Sequence, residues 1–338
     1  MRPFYKILIY LAIVVNYTTA SAQTPDDAQS LVKQAVQFNK DGKYADAIDK
    51  YNQALKIDSN NIYANYGIAY SFLALGNGKD GIPHLEKVIK ANTSVTPDAY
   101  DLLGSIYDKG HEIEKAIAAY NAGIKAGPKS QSLYYNLGLV YFREKKYADA
   151  EQCAIEAIKI GPKHASSQRM YALVCFHQNK RANALLGFCS FILLEPNTAR
   201  SAEAYGNIQH ILQGGILKSA PGEAPLVNNA NTIALNRAIT QGVAEAAKQK
   251  YATATDQLAA QLKNILTAIG QLAENQTGDD FFRKYNAAYF YELTQTPNMP
   301  AFARLISLNT PESAAWAKAN VQQMTDLDNW IKGTERRF

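Results

Sequence analysis

Residues 131–164 read QSLYYNLGLVYFREKKYADAEQCAIEAIKIGPKH, and their punctuation recurs at intervals of 34 residues on either side. Gly138 stands in a column with Gly104, Ala172 and Gly206. Ala150 lines up with Ala116 and Ala184, and Pro162 with Pro128 and Pro196. A constant interval of this length is the mark of stacked helical hairpins, in which each pair of helices buries its apolar side against the next pair.

The columns fit a unit of helix A, turn and helix B, with Pro97, Gln131 and Ala165 as first residues. Small residues fall where two helices must cross closely, Gly104 or Gly138 on helix A and Ala116 or Ala150 on helix B. Tyr100, Leu103, Tyr107 and Tyr120 fill the flanking space, and Tyr134, Leu137, Tyr141 and Ala154 take the equivalent places one unit later. Thr96 is expected to cap helix A with Pro97 in its first turn, and Gly110 to close it. Gly127-Pro128 and Gly161-Pro162 end helix B, because proline lacks the amide hydrogen and clashes with a continuing helix.

These residues resemble the tetratricopeptide repeat family. The likeness rests on Leu-Gly-x-x-Tyr at Leu103–Tyr107 and Leu137–Tyr141, on Tyr-Ala-Asp-Ala at Tyr44–Ala47 and Tyr147–Ala150, and on the closing prolines. An earlier unit fits 28–59 without a closing proline, and a second fits 60–96 with about two extra residues near Gly76-Asn77-Gly78. The resemblance implies an all-α superhelix of helical hairpins over 28–213, with units at about 28–59, 60–96, 97–130, 131–164 and 165–198 and a capping helix at 199–213.

At the amino terminus Arg2 and Lys6 precede an apolar run from Ile7 to Val15, and Ala20-Ser21-Ala22 supplies a small-x-small site before Gln23. Residues 1–22 thus read as a cleaved secretory signal, with a run too short for the ~20 residues of a membrane span. The expectation is an exported protein, periplasmic first and secreted second. The formal charge of +5 falls to +3 without Arg2 and Lys6, since residues 1–22 hold no acidic side chain. So small a balance argues against a nucleic-acid partner, and Lys159, Lys163, Arg169, Lys180 and Arg181 read as a solvated face.

Catalytic and metal motifs are missing from the sequence: there is no Gly-x-Ser-x-Gly, no His-Glu-x-x-His and no phosphate loop. Cys153, Cys175 and Cys189 match no zinc spacing, and their odd number forbids a closed disulfide framework. They read as buried small hydrophobes, with oxidation of one pair as the alternative. His177 and His210 can approach one another, but no carboxylate sits where it would complete a metal site. The protein is therefore read as non-enzymatic, with no cofactor.

In the resembled family the second, fifth, ninth, twelfth and thirteenth residues of helix A line a concave groove. Here they are Ser132, Tyr135, Leu139, Phe142 and Arg143, then Ser166, Arg169, Leu173, Phe176 and His177. The candidate partner-binding residues are Tyr135, Leu139, Phe142, Arg143, Arg169, Leu173, Phe176 and His177, which offer apolar anchors beside charge-assisted donors. Phe142 and Phe176 can instead pack against the next unit. The preceding unit is more polar, with Asp98, Asp101, Ser105, Asp108 and Lys109. The family's carboxylate clamp is not matched, because Val32 and Val36 stand where it needs lysine and asparagine, and Asp98 and Leu102 replace its later basic pair.

Residues 214–231, with Gly214-Gly215, Pro221, Gly222 and Pro225, read as a linker to a smaller helical region, 232–338, of no recognised family. There Leu258, Leu262, Ile265, Ile269 and Leu272 form one helical stripe, and Ala317, Val321, Met324, Leu327 and Ile331 another beside Trp316. Phe281, Phe282, Tyr285, Tyr289 and Phe290 read as core, with a ligand platform as the alternative. Asp279, Asp280, Arg283 and Glu292 adjoin them. The expected function is a protein-interaction scaffold or adaptor of the cell envelope that holds a segment of another protein. Carbohydrate capture, or a hydrolase housed in 232–338, are the alternatives.

Overall fold

The computed structural model describes residues 27–214, 229–275 and 281–338. The signal at 1–22, the linker residues Pro221, Gly222 and Pro225, and Asp279 and Asp280 lie outside the described residues. Among the described residues every regular element is a helix. In chain order these are α1 (Ala28–Lys40), α2 (Tyr44–Ile57), α3 (Ile62–Ala74), a 3-10 turn (Gly78–Gly81), α4 (Ile82–Ala91), α5 (Thr96–Lys109) and α6 (Ile113–Ala126). They continue with α7 (Gln131–Arg143), α8 (Tyr147–Ile160), α9 (Ala165–His177), α10 (Arg181–Leu194), α11 (Ala199–Leu212), α12 (Ala230–Ala246) and α13 (Ala254–Glu274). A π-helical turn (Phe281–Ala287) leads into α14 (Ala288–Thr294), α15 (Met299–Ile306), α16 (Pro311–Ala319) and α17 (Val321–Gly333).

One local device makes each hairpin. The amides of Lys43, Asn77, Glu112, Lys146 and Lys180 donate to the carbonyls of Phe38, Phe72, Tyr107, Tyr141 and Cys175, five residues earlier, at 2.8–2.9 Å. This six-to-one bond needs a left-handed residue just before the donor. Gly42 and Gly76 supply it first, and His111, Lys145 and Asn179 follow at φ 58°, 56° and 56°. Gly110 closes α5 as expected, but the left-handed residue is its neighbour His111. Thr96 does not cap α5. It is already the first helical residue, and its hydroxyl accepts from the Thr93 amide at 2.9 Å.

The described residues divide into two compact units, one ending at Val140 and the other beginning at Tyr141, so that the division falls within α7. In the first unit α1 packs on α2, α2 on α3, α4 on α5 and α5 on α6. Leu31, Ala35, Ala47, Tyr51, Ala54 and Ile68 make one buried cluster, and Leu73, Leu85, Val88, Leu102, Leu103 and Ile106 the next. The glycine column has a direct physical cause. A Cβ on Gly104 would lie 2.5 Å from the Tyr120 ring, and one on Gly67 2.2 Å from the Tyr51 ring. Each tyrosine is fully buried and its hydroxyl is engaged, Tyr120 with Ser105 at 3.2 Å and Tyr51 as acceptor from Asn39 Nδ2 at 3.2 Å.

In the second unit α10 is buried on all sides, from Ala182 through Ile192 without a break. α9 and α11 cover it as neighbouring repeat helices, while α12, α15 and the π-helical turn cover the rest. The region after residue 229 therefore packs directly on the last repeat helices, around α13 with Leu258, Leu262, Ile265 and Ile269 inward. Phe281, Phe282, Tyr285, Tyr289 and Phe290 are all buried, in line with the core reading. The final stripe is not one helix. Asn320 breaks it at φ −122°, ψ 48°, which leaves Val321 exposed and Leu327 the one buried residue of α17. Trp316 lies under the buried Arg304 guanidinium at 4.6 Å, and Arg304 also pairs with Asp256 at 2.5 Å.

Gly206 shares the glycine column, but a Cβ there meets nothing within 4 Å. Gly104→Ala is expected to destabilise the protein by about 1–3 kcal/mol through overpacking. Gly206→Ala should stabilise it by roughly 0.5–1 kcal/mol through helix propensity. Urea midpoints test the pair, and equal responses would refute this account of the column. Cys153, Cys175 and Cys189 are buried thiols outside any disulfide, and burial pushes the Cys153 and Cys189 thiols up to about 12. A chromogenic disulfide reagent at pH 8 should find these thiols slow to react in the folded protein and fast in denaturant. Rapid titration without denaturant would contradict the packing.

Candidate partner-binding groove

In the first unit the polar wall is built from three A helices. Asp98 and Asp101 stand one turn apart on α5, Tyr66 on α3 and Asn136 on α7. Asn136 Nδ2 donates to Asp101 Oδ1 at 2.8 Å, and this bond partly offsets the burial that raises the Asp101 carboxyl. Asp98 has no such compensation. Burial, and then repulsion by Asp101, push it up to about 6. The same two carboxylates add to the burial that holds the Tyr66 phenol well above its ordinary value. A group of this kind gains from any cation that arrives beside it. Tyr135 and Leu139, the first two residues of the candidate set, are half-buried on α7 in this unit.

In the second unit Phe142 and His177 are half-buried and meet edge to face at 5.2 Å. Tyr147, at the start of α8, stacks on His177 at 5.1 Å and takes the Phe142 edge at 5.7 Å. Arg143 is exposed beside this trio and Leu173 is half-buried. Arg169 pairs with Glu203 of α11 at 2.7 Å, across successive A helices. Phe176 is only 9% exposed, with Phe188 and His210 against it at 6.2 and 5.8 Å. Its ring thus belongs to the packing between repeats. His177 and His210 both flank Phe176 rather than one another.

Sequence reasoning missed Tyr66, Asn136, Tyr147 and Glu203. Tyr147 stood in the quoted Tyr-Ala-Asp-Ala motif, and Glu203 lies 34 residues after Arg169, so the repeat interval itself was the available signal. Among the described residues no group of three His, Cys, Asp or Glu side chains could hold a metal ion, and no helix is long and apolar enough to cross a membrane.

The fold is a run of helical hairpins that expose ordered polar and aromatic side chains along their A helices. Models of the tetratricopeptide repeat match it at residues 35–76 and, in overlapping copies, at 66–131, 102–165 and 135–190. Residues 35–190 thus match the tetratricopeptide repeat family. Curated relatives include Hsp70-Hsp90 organizing protein 3 of Arabidopsis thaliana, 33% identical over 28% of this chain and 17% of its own. Another is the BBSome complex member BBS4 homolog of Drosophila melanogaster, 23% identical over 39% of this chain and 27% of its own. The chain thus spans well under half the length of either. Among solved structures, MamA is 25% identical over 48% of this chain and 94% of its own, with a TM-score of 0.43. The Pseudomonas aeruginosa protein pilF is 16% identical over 79% and 96%, with a TM-score of 0.44.

The raised Asp98 carboxyl sets a pH dependence. Its folded value lies above its unfolded one, so its contribution to stability is full below about pH 4 and is lost as pH rises toward about 6. Asp98→Asn should remove that part of the profile and make the protein more stable than wild type at pH 7. Thermal melts of both proteins between pH 4 and 7 check this, and parallel curves would contradict it.

Proposed function

We propose that the repeat region is a non-catalytic platform that holds a segment of another protein along its A helices, in an exported protein of the cell envelope. The observation that carries the reading is the half-exposed trio of Phe142 on α7, Tyr147 at the start of α8 and His177 on α9, with Arg143 next to Phe142 in the chain and Arg169 and Leu173 on the same helix as His177. Aromatic and arginine side chains in this setting are the usual anchors of protein recognition. In the first unit, Asp98 and Asp101 by themselves offer a place for a cationic side chain. Val32 and Val36 supply none of the polar groups of the carboxylate clamp, so the segment is recognised along its length and not by a terminal carboxylate. Export is supported by Arg2, Lys6, the Ile7–Val15 run and the Ala20-Ser21-Ala22 site, and amino-terminal sequencing of the mature product, expected to begin at Gln23, tests it.

A photo-crosslinking residue at Leu173, with one at exposed Lys159 as control, identifies the partner in intact cells by mass spectrometry. Peptides from that partner then serve in calorimetry. Phe142→Ala and Arg169→Ala are each expected to weaken binding by about 1–2 kcal/mol with helix content unchanged. Unchanged affinity in both variants would remove the groove assignment.

A further inference from the structure

The segment Thr334–Phe338 sits in a seat that it did not build. The seat comes from the π-helical turn, α14 and α10, which place Tyr285, Tyr289, Phe290, Asn286 and Ser190 together. Into it reaches the Arg336 guanidinium, 4.1 Å from the Tyr289 ring centre, 4.9 Å from Tyr285 and 5.2 Å from Phe290. Its Nη1 donates to Ser190 Oγ at 2.7 Å and to Asn286 Oδ1 at 3.3 Å. Among the described residues no carboxylate pairs with it. Aromatic faces and neutral acceptors thus select a flat cation by shape, where an ordinary ion pair would select charge alone.

Two further observations mark the seat as more than a staple for this segment. The Asn286 side chain is wholly buried at its floor, and its Nδ2 donor has no partner while Arg336 is in place. A buried donor of this kind is costly, and an occupant that brought an acceptor to it would be preferred. The segment itself is lightly attached. Phe338 stacks on Tyr285 at 4.7 Å but stays 48% exposed, Glu335 and Arg337 are exposed, and the preceding α17 buries Leu327 alone.

We propose that this seat is a second binding site, separate from the groove, for an arginine side chain followed two residues later by an aromatic ring in a segment of a partner protein. Thr334–Phe338 fills it in cis with Arg336 and Phe338, and a partner segment whose main-chain carbonyl reaches Asn286 Nδ2 displaces it. The site then stays closed to weak competitors and opens to one that satisfies the buried amide.

The test uses the full chain with Arg336→Ala and Phe338→Ala together, which empties the seat, and an acetylated, amidated peptide of sequence TERRF as probe. Calorimetry and the fluorescence of Trp330, which lies 4.9 Å from Tyr289, report binding. The emptied protein is expected to bind the peptide at least about tenfold more tightly than the intact one. A peptide with lysine in place of the arginine matching Arg336 should lose about tenfold, because an ammonium cannot lie flat on the rings. Arg336→Lys, which keeps the charge and loses the plane, is the second variant and should also admit the peptide. No binding to a folded variant, equal binding by intact and emptied protein, or equal binding of the lysine peptide would overturn the proposal. Failure of both variants to fold would overturn it as well, by making the segment a structural staple.

Discussion

A helical hairpin of this size has no core of its own, and everything in the repeat region follows from that lack. Two helices of 13 or 14 residues can bury only the strip along which they touch, so the outer flank of each pair needs another helix to cover it. Contact at that strip depends on the absence of a side chain at Gly104 and Gly67, where the Tyr120 and Tyr51 rings occupy the space that a Cβ would take. The phenols repay burial with hydrogen bonds to Ser105 and Asn39, so large rings fill the crossing without leaving polar atoms stranded. At Gly206 no ring fills that space, and the same residue type carries no packing role.

The second unit answers the same need differently. α10 reads RANALLGFCSFILL and has no polar face to leave in water, so the repeats cannot end there with an ordinary cap. α12, α15 and the π-helical turn close over it, and Gln168 Nε2 donates to the buried Tyr285 hydroxyl at 2.7 Å to tie repeat and later region together. Asn236 reaches back in the same way, donating to the Asn179 carbonyl at 2.8 Å in the last hairpin turn. These bonds join residues far apart in sequence, and each satisfies a polar atom that the packing has taken out of water.

Electrostatics divide along similar lines. The second unit spends its charges on pairs, Glu151 with Lys180, Arg169 with Glu203 and Arg304 with Asp256, the first and last of them with one partner buried. Asp98 in the first unit is left with a like-charged neighbour and a raised carboxyl. An unpaired, partly buried carboxylate lowers stability at neutral pH, and a cationic partner relieves it.

The all-helical class and the helical-hairpin repeat were legible in the sequence, because they depend on local chemistry repeated at a fixed stride. Proline cannot continue a helix beyond its first turn, so Pro128 and Pro162 mark helix ends, and Gly104 in its column marks a close crossing without any knowledge of what crosses. The aromatic residues 281–290 were legible as core from helical spacing alone. What only the tertiary structure decided was which side chains remain available. Phe142 and Phe176 hold equivalent repeat positions, but Phe188 and His210 bury the second while the first stays half-exposed. Burial is set by the neighbouring element and not by the stride, so no periodicity could separate them. The same holds for Arg336, whose seat is assembled from three elements up to 146 residues away and whose partners meet only once α10 is covered.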